Sequence, residues 1–135
     1  EIFVVLYSSN NELTRLRIDN FYALKDKDIV VLELDPPKFS NPCKLITPES
    51  FPLTLDPLSV SNELLAFGCP SGLFGLTWKP SIINVDKRHI VSQGFVIPGV
   101  SGGGIYLKLE QQWFLLGVHS FGFIDTKTLY SSRLF

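Results

Sequence analysis

Short β-branched and aromatic runs, each broken within about ten residues by glycine, proline or clustered polar residues, leave this chain little choice but β-structure. Ile2 to Tyr7 is one such run, closed by Ser8-Ser9-Asn10-Asn11. From Leu13 to Asp19 the residues Thr14, Leu16 and Ile18 interleave with Leu13, Arg15, Arg17 and Asp19. Side chains two apart share a face of a strand, so this segment reads as half-buried β. Lys25-Asp26-Lys27-Asp28 reads as a charged turn, and Ile29 to Leu34 as a third strand ended by Pro36-Pro37. No segment keeps a 3.6-residue period for long. The chain is expected to be all-β.

Residues 35 to 62 differ in character, holding Pro36, Pro37, Pro42, Pro48, Pro52 and Pro57 of the chain's nine prolines. Each fixes φ and removes a ladder donor, so the segment reads as an extended crossover, with a short strand from Lys44 to Thr47. Beyond it, strands are expected at Glu63–Phe67, Thr77–Asp86, Ile105–Lys108, Trp113–His119 and Thr128–Ser132, which suits an antiparallel barrel or sandwich. The division is therefore 1–34, 35–62 and 63–135.

The 135 residues carry a net charge of −1, which gives no electrostatic case for nucleic acid or an anionic membrane as partner. No run approaches the roughly 20 apolar residues of a spanning helix. Cys43 and Cys69 match no metal spacing; they form a single bridge or remain two buried thiols. With no P-loop, dinucleotide fingerprint or EF-hand, neither a metal nor a cofactor is expected. The chain opens on Glu1 and contains no Met, which reads as a fragment or a processed product.

The chemistry concentrates in Pro98-Gly99-Val100-Ser101-Gly102-Gly103-Gly104-Ile105-Tyr106. An acyl-transfer site must expose a hydroxyl while aiming backbone N–H groups at a developing oxyanion. Glycine on both sides of Ser101 permits such a turn, because positive φ costs glycine little. By itself the same string also suits a plain glycine-rich hairpin with one exposed serine.

The context resembles the chymotrypsin and trypsin superfamily. Downstream, a strand, the turn Glu110-Gln111-Gln112 and the run Trp113 to Gly122, ending Gly117-Val118-His119-Ser120-Phe121-Gly122, follow the order of that family's nucleophile loop and substrate-pairing strand. Upstream, Lys27-Asp28-Ile29-Val30-Val31-Leu32-Glu33-Leu34 is similar to the segment bearing the family's orienting aspartate, and Leu65-Ala66-Phe67-Gly68-Cys69-Pro70-Ser71-Gly72-Leu73 to one found in HtrA-like and glutamyl-endopeptidase-like members. The resemblance implies a double antiparallel β-barrel whose first barrel is incomplete here. It further implies a serine endopeptidase with Ser101 as nucleophile, Asp28 as orienting carboxylate, and the Gly99 and Ser101 N–H groups as oxyanion donors. Ser120, Phe121 and Gly122 would pair with a polypeptide substrate.

The sequence departs from the family at three places. No histidine precedes Asp28; only His89 and His119 exist, both after it. The general base lies on a missing segment or second chain that completes the first barrel, or it has been lost and the domain binds a peptide or protein partner without catalysis. Val100 cannot form the ion pair by which trypsin-type zymogens activate, and Ile97 occupies a usual cysteine position. These point to a disulfide-poor branch.

His119 carries two readings: a hydrogen-bonded core residue, or, by resemblance to glutamyl endopeptidases and viral relatives, a pocket imidazole that binds Glu or Gln. Phe95, Val96 and Thr128 would line the same pocket. Asp19, Asp26, Asp35, Asp56, Asp86 and Asp125 read as turn or surface residues, His89 as a solvated loop residue, and Trp78 and Trp113 as core or rim aromatics.

Overall fold

The computed structural model describes residues 3–7, 13–33, 43–45, 63–73, 75–94, 98–122 and 129–134. They fall into two compact units, residues 1–42 and residues 43–135. The described residues are all-β apart from one 3-10 turn.

In the first unit, β1 (Phe3–Tyr7) pairs antiparallel with β2 (Leu13–Arg17), and β3 (Asn20–Leu24) with β4 (Ile29–Glu33). The β3 strand lies outside the sequence expectation. It forms because Asn20-Phe21-Tyr22-Ala23-Leu24 sits directly before the charged turn, where a hairpin needs its first arm, and sets Phe21 opposite Leu32 and Tyr22 opposite Val31. The turn closes with the Lys27 N–H donating to the Leu24 carbonyl at 2.9 Å. Asp28 completes it in the left-handed region at φ 52°, a conformation aspartate tolerates better than most residues. Little is buried: Ile18 and Ile29 are, while Phe21, Tyr22 and Val30 stay more than half exposed. Among the described residues this unit forms two separate two-stranded ladders.

The second unit is one strongly curled half-barrel sheet. Its strands are β5 (Lys44–Leu45), β6 (Leu64–Gly68), β7 (Leu76–Trp78), β8 (Ser81–Val85), β9 (His89–Gln93), β10 (Gly104–Leu109), β11 (Gln112–Gly122) and β12 (Leu129–Leu134). They run in the order β7-β6-β10-β11-β12-β9-β8, with β5 added in parallel to β11 at Phe114 and Leu115. Two expectations are corrected. Lys79-Pro80 splits the strand expected over Thr77–Asp86, since proline cannot donate to a ladder. His89, read as a loop residue, instead opens β9, which β8 and β12 flank. Asp86 makes that hairpin by accepting hydrogen bonds from the Arg88 and His89 N–H groups at 2.6 and 2.8 Å, contacts that also pull its carboxyl below the usual range.

Leu64, Ile82, Ile90, Ile105, Leu107 and Leu116 form the core of the curl. Two bulges in β11 shape it. The register passes from Ile105 opposite Gly117 to Tyr106 opposite Leu115, so Leu116 is an extra residue, fully buried. Against β12, His119 faces Ser132 and Phe121 faces Ser131, so Ser120 is the second extra residue. The cysteines are unbridged, and Cys43 is exposed rather than buried, its thiol donating to the Trp113 carbonyl at 3.3 Å.

Candidate functional site

Ser101 stands exposed at the tip of the turn that feeds β10. Gly99 at φ 98° and Gly102 at φ 89° flank it, both in the region reserved for glycine. At Gly99 space enforces the same choice, because a Cβ there would overlap the Cys69 carbonyl oxygen. Val100 is buried, so the turn is anchored by an apolar side chain.

The turn is laced to β11. The Gly102 N–H donates to the His119 carbonyl and the His119 N–H to the Gly103 carbonyl, each at 2.8 Å. These bonds carry the β10–β11 ladder one residue past its last pair, Gly104 opposite Val118. Phe121 and Gly122 then run beyond β10, and among the described residues β12 pairs with them, through Ser131 and Tyr130. The bulge turns the Ser120 carbonyl towards the turn, where it accepts a hydrogen bond from the Ser101 hydroxyl at 3.3 Å.

Backbone directions follow from peptide planarity. In a trans peptide the C=O and the next N–H point opposite ways. The Pro98 carbonyl accepts from the Ser71 N–H at 2.7 Å, and the Val100 carbonyl from the Gly103 N–H at 3.1 Å. The Gly99 and Ser101 N–H groups therefore point away from those donors. Neither N–H donates to another backbone carbonyl among the described residues outside the strand ladders.

His119 lies beneath this turn, 3% exposed. Its Nδ1 is 2.9 Å from Ser132 Oγ, and its ring stacks on Trp78 with centroids 5.7 Å apart. Gly68 and Gly103 make the space: a Cβ on the first would press the Trp78 ring, and one on the second the imidazole and the Phe67 carbonyl. Burial pushes the imidazole pKa down to about 4, only partly offset by a hydrogen bond to the Phe67 backbone. The ring is neutral near pH 7 and engaged on the protein side. Sequence reasoning gave no role to Ser132, nor to Trp78 as the imidazole's stacking partner. The glycines at 68 and 103 were the available signal.

Asp28 belongs to the first unit and lies exposed at the end of the β3–β4 turn. Phe95, Val96 and Thr128 lie outside the described residues. Phe121 and Gly122 occupy the end of β11. No family model and no curated protein matches the chain.

Proposed function

We propose that this chain is part of a chymotrypsin-like serine endopeptidase in which Ser101 attacks the peptide carbonyl. The single observation that carries this reading is the build of the Ser101 turn: an exposed hydroxyl between two positive-φ glycines, with the N–H groups of Gly99 and Ser101 turned away from the donors that brace the loop. Such donors stabilise the tetrahedral intermediate. Ser120, Phe121 and Gly122 at the end of β11, the last two past the β10 ladder, suit a substrate strand added by backbone hydrogen bonds. Asp28 orients the base, a histidine supplied from outside residues 1–135. His119 is not that base, since it is enclosed under the loop. Preference for Glu or Gln, with Val96 and Thr128 beside His119, requires the imidazole to exchange an internal contact for the substrate.

The double barrel belongs to the same proposal, with the first unit contributing strands to a barrel that a further segment or second chain completes. The test is peptide-library cleavage by a version extended upstream through a histidine-bearing segment. Cleavage should disappear in Ser101→Ala and fall by about three to four powers of ten in Asp28→Asn. Cleavage that survives Ser101→Ala overturns the assignment, and a profile without acidic or amide preference removes the pocket role of His119.

A second reading, a protease-like domain that binds a peptide without cutting it, draws on one observation. The Ser101 hydroxyl donates to the Ser120 carbonyl rather than to a base. A folded extended protein that binds peptides but leaves the library intact would favour it.

A further inference from the structure

We infer that the turn Cys69–Gly72 is the positioning element of the Ser101 loop, with Ser71 as its positioning residue. This inference rests on the acyl-transfer reading above.

Two backbone donors on alternate residues of this turn reach two consecutive carbonyls of the loop. The Ser71 N–H donates to the Pro98 carbonyl at 2.7 Å and the Cys69 N–H to the Gly99 carbonyl at 3.2 Å. The first of these bonds fixes the plane of the Pro98–Gly99 peptide. Because that peptide is planar and trans, holding its carbonyl against Ser71 holds the Gly99 N–H facing the opposite way. If the peptide flipped, a carbonyl oxygen would stand where the oxyanion donor is needed, and a repelling group would replace an attracting one.

The turn has the rigidity such a clamp needs. Pro70 is buried, and the turn closes on itself through the Gly72 N–H to the Cys69 carbonyl at 3.2 Å and the Leu73 N–H to the Pro70 carbonyl at 3.0 Å. Ser71 adopts φ 54°, ψ 29°, a left-handed conformation inside a 3-10 turn. A non-glycine residue is thus held in a costly region at the position whose N–H meets the Pro98 carbonyl. Gly99 fits against the turn so closely that a Cβ would lie 3.3 Å from the Ser71 nitrogen. Buried Val100 secures the loop from below. The donor orientation is thus built into ordinary backbone contacts of the second unit and needs no charge at position 100.

The test has two readouts, amide exchange on the 135-residue chain and adduct formation in the form extended upstream through a histidine-bearing segment. Amide hydrogen exchange at Cys69 and Ser71 reports the clamp itself. Phenylboronic acid reports its consequence. The Ser101 oxygen bonds to boron, boron passes from trigonal to tetrahedral, and the hydroxyl proton goes to solvent. The shift is visible by boron NMR, with benzamide as a control that makes no such adduct.

The Cys69 and Ser71 amides should be protected and the wild-type extended form should form the adduct. Ser71→Gly keeps the N–H and accepts positive φ, so it should bind the boronic acid within about twofold of wild type. Ser71→Val resists positive φ and should expose both amides and weaken the adduct by about tenfold to a hundredfold, while weak benzamide binding stays unchanged. Unprotected amides, or full adduct formation in Ser71→Val, would overturn the positioning role alone. Protected amides with no adduct in the wild-type extended form would instead overturn the acyl-transfer reading, and the role with it.

Discussion

At the scale of single residues, one side chain that is absent and one that is enclosed decide the site. Gly99 has no Cβ because its φ of 98° and the adjacent Cys69 carbonyl both exclude one. Gly99→Ala should therefore turn the Pro98–Gly99 peptide and slow reaction of Ser101 with a fluorophosphonate by tenfold or more in the histidine-bearing form, on the order of losing one oxyanion donor. Labelling at the wild-type rate would show that the peptide plane does not matter. His119 makes a prediction about pH. Its pKa is near 4 in the fold against 6.5 ordinarily, so between those values the unfolded chain binds the extra proton. Stability is complete above about pH 6.5 and drains away as pH falls towards 4, by at most about 3 kcal/mol. Urea denaturation at pH 7 and pH 4.5 should show that loss in the wild type and a smaller one in His119→Phe. An equal slope in both would remove His119 as the cause.

At the scale of elements, what was legible in the sequence was what local chemistry dictates. Glycine, proline and β-branched residues announced most strands and the Ser101 turn. The missed strands have particular reasons. In β9, Ile90 and Val91 follow Lys87-Arg88, so the segment looked like a charged loop. It becomes a strand because β8 and β12 supply ladders on both sides. β3 was missed for want of period-2 alternation in Asn20-Phe21-Tyr22-Ala23-Leu24. The bulges at Leu116 and Ser120 depend on the register between β11 and its neighbours, a non-local quantity that no single segment encodes. The Ser101 turn could thus be read directly, but not the carbonyl that its hydroxyl meets. The core makes its own test: Ile105 and Ile90 are fully buried on strands flanked on both sides, so either one changed to Ala should cost about 2–5 kcal/mol by chemical denaturation. A cost under 1 kcal/mol would mean that the curl is not packed as described.

At the scale of the whole molecule, the two units differ in what holds them together. The second has six mutually packed buried aliphatic residues, whereas the first buries Ile18 and Ile29 and exposes Phe21, Tyr22, Val30 and Val31 on two-stranded ladders. Isolated hairpins are marginal in water. Amide exchange in β1 to β4 should therefore be faster by several powers of ten than in β10 and β11. Equal protection would show that the first unit has a core of its own.

The central proposal is that Ser101 is an acyl-accepting nucleophile served by a histidine from outside residues 1–135. The most direct measurement is fluorophosphonate labelling, mapped by mass spectrometry, of the 135-residue chain beside a version extended upstream through a histidine-bearing segment. The account predicts labelling at Ser101 in the extended form alone, abolished by Ser101→Ala. A folded extended form that takes no label, or takes it on another residue, would contradict it.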